Sequence, residues 1–146
     1  MATLPKPVPG LVIRYSYLWA DEHDRGHEEG RKDRPCAIVL ATLVADHETH
    51  VVVLPVTHTP PAPGQAAVEV PLATKQRLGL DHERSWIVIS EANRFGWPGP
   101  DLRPVVRGTV ATVAYGELPA DLFRKVRDAF LREHHRRRAR LVSRTD

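Results

Sequence analysis

A chain of 146 residues and 16.4 kDa accommodates one compact domain and excludes two full-sized ones. Its 42% apolar and 27% charged residues exclude wholesale disorder, and apolar runs such as Val51 to Val56 fall far short of the roughly 20 residues a membrane helix needs, so no membrane association is expected. The net charge of +3 is uneven, with nine Lys/Arg against four Asp/Glu in residues 119–146, which fits either an anionic partner near that end or a solvated tail.

Residues 1–9 carry Pro5, Pro7 and Pro9 and read as an extended lead-in. After Gly10, the apolar positions Leu11, Ile13, Tyr15 and Tyr17 alternate with Val12, Arg14, Ser16 and Leu18, which predicts a strand capped by Trp19. Asp21 to Arg34 is nearly all charged residues, His and Gly, and reads as an exposed loop. His23 and His27 stand four apart there beside Glu28, but without helical periodicity this spacing fixes no common face, and no metal site is expected.

Pro35 to Ala41 is short, continuous and β-branched at its centre, the pattern of a strand covered on both faces. Its Cys36 is the single cysteine, so neither an internal disulfide nor a cysteine-based zinc site is available, and a reducing cytoplasm is the expected compartment. His50 to Thr57 predicts a third strand, the Pro60–Gly64 segment a loop, and Ala67–Val70 a short edge strand. Leu72 to Leu80 fits one helical turn closed by Gly79.

Ser85–Ser90 predicts the next strand, followed by an irregular Pro/Gly-rich loop at 96–100, and Val105–Val113 a last strand or hairpin turning at Gly108. Pro119 suits the first position of a helix and Asp121 its first turn, while Leu122, Phe123, Val126, Ala129 and Phe130 recur at three- and four-residue steps. Residues 132–146, with the Arg136–Arg140 cluster, lack an apolar stripe and are expected to fray into solvent, where they add either salt-sensitive attraction to RNA or nothing. The whole describes a mainly β fold with a C-terminal α-helix: a small, strongly curved antiparallel sheet, closed or nearly so.

Several segments, in order, resemble the MazF/PemK family of toxin ribonucleases. These are Gly10-Leu11-Val12-Ile13; Gly26 to Pro35 leading into Cys36-Ala37-Ile38-Val39-Leu40; Leu54-Pro55-Val56-Thr57; Gly79-Leu80 shortly before Ser85 to Ile89; and Tyr115-Gly116-Glu117-Leu118. Together they cover most of residues 10–131, the expected domain between the 1–9 lead-in and the 132–146 tail.

The resemblance implies a small SH3-like barrel and a homodimeric, metal-independent endoribonuclease that needs no cofactor. Such a protein cuts single-stranded RNA and is neutralised by a cognate antitoxin. The arginine before the proline of the second strand and the threonine ending the third are that family's catalytic pair, here Arg34 and Thr57. The loop before Arg34 resembles a flap beside the RNA groove, which makes Arg31 and Lys32 candidate contacts; Ser85, Asn93 and Arg94 are candidates from the later strand region. Where the family often carries a glutamine and an arginine, this chain has Glu91 and Asn93.

The chemistry fits that pairing. If the RNA's own 2′-hydroxyl attacks the adjacent phosphate, negative charge grows on phosphoryl oxygens. A planar, permanently charged guanidinium matches it, and a hydroxyl adds a neutral donor. Neither removes a proton near neutrality, whereas histidines titrate near ~6.5, so His58 is either a catalytic helper or an idle loop residue. Consecutive strand residues face opposite sides, so His58 can join Thr57 only if the strand has ended, as Pro60 and Pro61 suggest. Trp97 is either a base-stacking residue or tucked over the barrel mouth, and Trp86 reads as core. The competing reading is a catalytically silent small-barrel module that binds RNA or protein.

Overall fold

The computed structural model describes residues 4–26, 32–44, 47–105, 112–136 and 139–144. These form strands β1 (Leu11–Tyr15), β2 (Arg34–Leu43), β3 (Thr49–Thr57), β4 (Ala67–Glu69), β5 (Trp86–Val88), β6 (Glu91–Gly96), β7 (Ala114–Glu117) and β8 (Arg140–Ser143), with helices α1 (Ala20–Asp24), α2 (Leu72–Leu78) and α3 (Ala120–His135). None of these helices is long and apolar enough to cross a membrane.

The fold is mainly β: one eight-stranded sheet in the order β4-β5-β3-β2-β1-β7, with β6 on β3 and β8 on β6. β3 organises it. One of its edges pairs with β2; the other splits, His50–Val53 pairing with β6 and Val56–Thr57 with β5. All pairs are antiparallel except β6 with β8. No β4–β7 pairing closes the order among the described residues, so the sheet is open.

The continuous apolar runs of β2 and β3 are buried as their composition predicts: Ile38, Val51, Val53 and Leu54 have no exposed surface. One cluster joins these strands to α3 through Leu122, Val126 and Phe130. A second packs Ile13, Tyr15 and Phe95, with the Tyr15 and Phe95 rings stacked at 4.6 Å. Gly79 ends α2 at φ 73°, a left-handed conformation that only glycine adopts without strain.

Three segments differ from the sequence expectation. Residues 20–24 form a short helix inside the predicted loop, because Ala20 N–H donates to Glu91 Oε1 (2.9 Å) and Trp19 N–H to Glu22 Oε1 (3.1 Å), so helix-starting amides find acceptors that composition does not reveal. Glu91–Gly96 is a strand rather than the approach to a loop. The last strand on the main sheet path runs over 114–117, while the predicted turn at Gly108 lies outside the described residues.

The tail is corrected most. α3 continues to His135, and Arg140–Ser143 then pairs in parallel with β6, burying Val142. Arg144 is buried: its guanidinium meets Asp101 Oδ2 at 2.9 Å and donates to Ser16 O (2.9 Å), Asn93 Oδ1 (3.1 Å) and the Tyr15 hydroxyl (3.3 Å). Arg140 forms a two-bond pair with Asp24 of α1 at 2.9 and 3.1 Å. A charged segment without an apolar stripe is thus ordered by backbone pairing and by specific counter-charges.

Candidate active site

Antiparallel pairing sets Cys36 opposite Pro55 on β2 and β3. Carried two residues outward, the same register brings Arg34 opposite Thr57, and Arg34 Nη1 donates to Val56 O at 3.4 Å. Both residues line a cavity of about 500 Å³, joined there by Trp19, Lys32, His58 and Lys75. The Arg34 guanidinium and the Thr57 hydroxyl thus lie at the same rim of the sheet.

Arg34 is half-buried, and among the described residues its one side-chain hydrogen bond is to Val56 O. Its Cζ lies 4.9 Å from the centre of the Trp19 ring, and its buried Nε has no hydrogen-bond partner among the described residues. Asp33, the neighbouring candidate for an ion pair, turns instead to Arg14 (3.9 Å) and Arg103 (3.6 Å). A desolvated guanidinium with unspent donors favours an anionic group with accepting oxygens. Thr57 Oγ1 accepts Thr59 N–H at 3.1 Å, which leaves its own proton available to a ligand oxygen.

β3 ends at Thr57, so His58 escapes strand alternation and faces the same cavity. Its Nε2 lies 2.7 Å from Asp81 Oδ2 and its Nδ1 3.4 Å from Glu83 Oε2. Behind them Lys75, only 2% exposed, donates to Asp81 Oδ1 (2.6 Å), Ser85 Oγ (2.7 Å) and Glu83 O. This ammonium bond is the main reason the Asp81 carboxyl is held below its ordinary range, helped by Glu83 N–H and His58 against partial desolvation.

A carboxyl depressed in the folded state stabilises the fold above its unfolded pKa, about 4, and loses that contribution as the pH falls through its folded value. The advantage of the parent over Asp81→Asn, read as a difference in urea midpoints, is therefore expected at pH 7 and expected to shrink by pH 3. An equal gap at both pH values would contradict the Lys75–Asp81 link.

His58, Asp81 and Glu83 also bring three potential ligand atoms within 4.8 Å of one another, the closest approach to a metal set among the described residues. Lys75 already occupies Asp81 Oδ1, and a fixed ammonium opposes a cation there.

The remaining candidates divide. Lys32 is exposed and lines the cavity; Ser85 lines it too, with its Oγ turned to Lys75. Arg31, His27 and Glu28 lie outside the described residues. Asn93 is corrected: it has no exposed surface, and its side chain accepts Leu18 N–H (2.9 Å) and donates to Leu18 O (2.8 Å), so it braces the segment carrying Trp19. Arg94 sits on β6 opposite Val52 and is not among the cavity-lining residues. Trp97 is half-buried and stacks on Phe95 at 6.2 Å beside the second core cluster, and Trp86 is core as expected at 8% exposure. Glu91 does not face the cavity either: it accepts from Tyr17 Oη (3.0 Å) and Ala20 N–H, and burial raises its carboxyl above the ordinary range.

Trp19, Lys75, Asp81 and Tyr115 line the cavity without having been singled out as site residues. Only the Lys75–Asp81 pair left a trace, two opposite charges flanking a glycine-terminated turn. No protein-family model matches the sequence, and no curated protein matches it either.

Proposed function

We propose that the protein is a metal-independent endoribonuclease of the MazF/PemK kind, cutting single-stranded RNA by attack of a 2′-hydroxyl on the adjacent phosphate. The observation carrying this reading is the half-buried Arg34 guanidinium, with donors unspent, opening onto the same cavity as the Thr57 hydroxyl. Arg34 stabilises the charge that grows on the phosphoryl oxygens, Thr57 donates to one of them, and His58 moves a proton at the 2′-oxygen or the leaving 5′-oxygen. The open sheet with α3 packed on its core is taken as an SH3-like barrel. A homodimer, a cognate antitoxin that covers this cavity, and a cytoplasmic site of action belong to the same reading.

The test is cleavage of single-stranded RNA in excess EDTA by the parent, Thr57→Ala and His58→Ala. Full parental activity and its loss by about tenfold or more in Thr57→Ala are expected, as for removal of a donor to a developing oxyanion. His58→Ala is expected to remove one limb of the pH–rate profile; an unchanged profile would eliminate His58. Activity abolished by the chelator would turn attention to His58, Asp81 and Glu83 as metal ligands. One observation favours the silent binding module: both ring nitrogens of His58 face carboxylates. Tight RNA binding with no cleavage by the parent would establish that reading.

A further inference from the structure

A smaller cleft of about 190 Å³ adjoins the catalytic cavity, and Trp19, Thr57 and Thr59 line both. Its other walls include Trp86, Pro61 and Gln65. A dry cavity of roughly 150 Å³ already accepts a benzene ring, so this space suits one flat heterocycle and is too small for a drug-sized ligand. Arg34 lies over the Trp19 ring, with its Cζ 4.9 Å from the ring centre, and does not line the cleft.

The platform is rigid before any ligand arrives. Asn93 ties both backbone groups of Leu18, Glu91 holds Ala20 N–H, and Glu22 holds Trp19 N–H. The polar wall has a defined sense. Gln65 Oε1 accepts Ala62 N–H at 3.0 Å; a backbone N–H only donates, so the oxygen is identified and the amide NH₂ is left to donate. A donor at this wall matches a base whose outer edge is a carbonyl, as in uracil or guanine, over one whose outer edge is an amino group, as in cytosine or adenine.

We propose that this cleft is a single-nucleobase subsite, in which Trp19 stacks the unpaired base beside the reacting phosphate and Gln65 selects a carbonyl edge. The proposal rests on the RNA reading above and adds to it which base neighbours the cut.

The test uses the full chain and 2′-O-methyl hexanucleotides of uridine and of cytidine, which lack the attacking hydroxyl and differ only at the base edge. Tryptophan fluorescence reports stacking, and titration gives the Kd. The uridine oligomer is expected to quench and to bind about fivefold tighter than the cytidine one, the worth of one hydrogen bond. Trp19→Ala is expected to abolish most of the quench and weaken uridine binding about ten- to hundredfold. Gln65→Glu, an exposed change that keeps the test valid even if Trp19→Ala fails to fold, is expected to reverse the order of the two oligomers.

Binding of neither oligomer by the parent, uridine affinity within twofold in folded Trp19→Ala, or a uridine-over-cytidine order untouched by Gln65→Glu would each overturn the subsite. The two readings fail separately. RNA cleavage with Trp19→Ala indifferent sinks the subsite alone, and uridine-selective quenching without cleavage sinks the nuclease alone.

Discussion

Arg34→Ala is expected to lower single-stranded RNA cleavage about 10²- to 10³-fold, the range measured when one preorganised donor to a developing oxyanion is removed. The effect should fall on kcat more than on KM. Charge on the phosphoryl oxygens is greatest in the transition state, and interactions that strengthen there are the ones that accelerate. Arg34→Lys is expected to rescue only part of the loss, because an ammonium offers a point charge where the guanidinium offers a planar set of donors, and it stacks less well over Trp19. Single-turnover kinetics on a short RNA, with urea midpoints to confirm folding, would measure this. A folded Arg34→Ala with parental kcat would remove Arg34 from the reaction.

The largest effect on stability is expected at Asp101. Its carboxylate pairs with Arg144, and the two side chains are only 9% and 4% exposed. Replacing Asp101 with alanine removes the counter-charge while the guanidinium stays buried among Ser16 O, Asn93 Oδ1 and the Tyr15 hydroxyl. Breaking a buried pair from one side typically costs about 3–5 kcal/mol, a large part of the roughly 5–15 kcal/mol that holds a domain of this kind. Asp24→Ala is the control. It breaks the Arg140 pair, whose side chains are more than half exposed, and should cost no more than about 1 kcal/mol. Urea unfolding of the two variants beside the parent would check the contrast. Equal midpoints for Asp101→Ala and Asp24→Ala would show that the C-terminal strand contributes nothing to the core.

That contrast also marks how far the sequence could be read. The apolar runs of β2 and β3, the Gly79 stop and the stripe on α3 are local signals, and the structure follows them. The pairing of Arg34 with Thr57 came from the family resemblance and not from a local pattern; in the structure Arg34 begins β2, Thr57 ends β3, and both line one cavity. Elsewhere the decisive partners are remote in sequence. β8 forms by pairing with β6, so its charged residues carry no periodicity of their own, and Arg144 meets Ser16 across 128 positions. Asn93 was a groove candidate because the resembled family lines its RNA groove from this region, yet a buried amide that satisfies both backbone groups of Leu18 leaves no mark in the sequence. Lys75 carried no local signal of its own until the turn of the chain brought Asp81, Glu83 and Ser85 around its ammonium.

These buried supports converge on the cavity wall. β8 and Arg144 hold the strand that carries Asn93, Asn93 fixes the segment bearing Trp19, and Trp19 lies against Arg34. Weakening the C-terminal strand is therefore expected to disturb the candidate site as well as the core.

The most direct measurement is the end chemistry of RNA cut by the purified protein in excess EDTA. Attack by the 2′-hydroxyl yields a 2′,3′-cyclic phosphate on one fragment and a 5′-hydroxyl on the other, and these ends are expected from the parent and lost in Arg34→Ala. Cleavage that leaves a 5′-phosphate, or that stops when the chelator is added, would contradict the account.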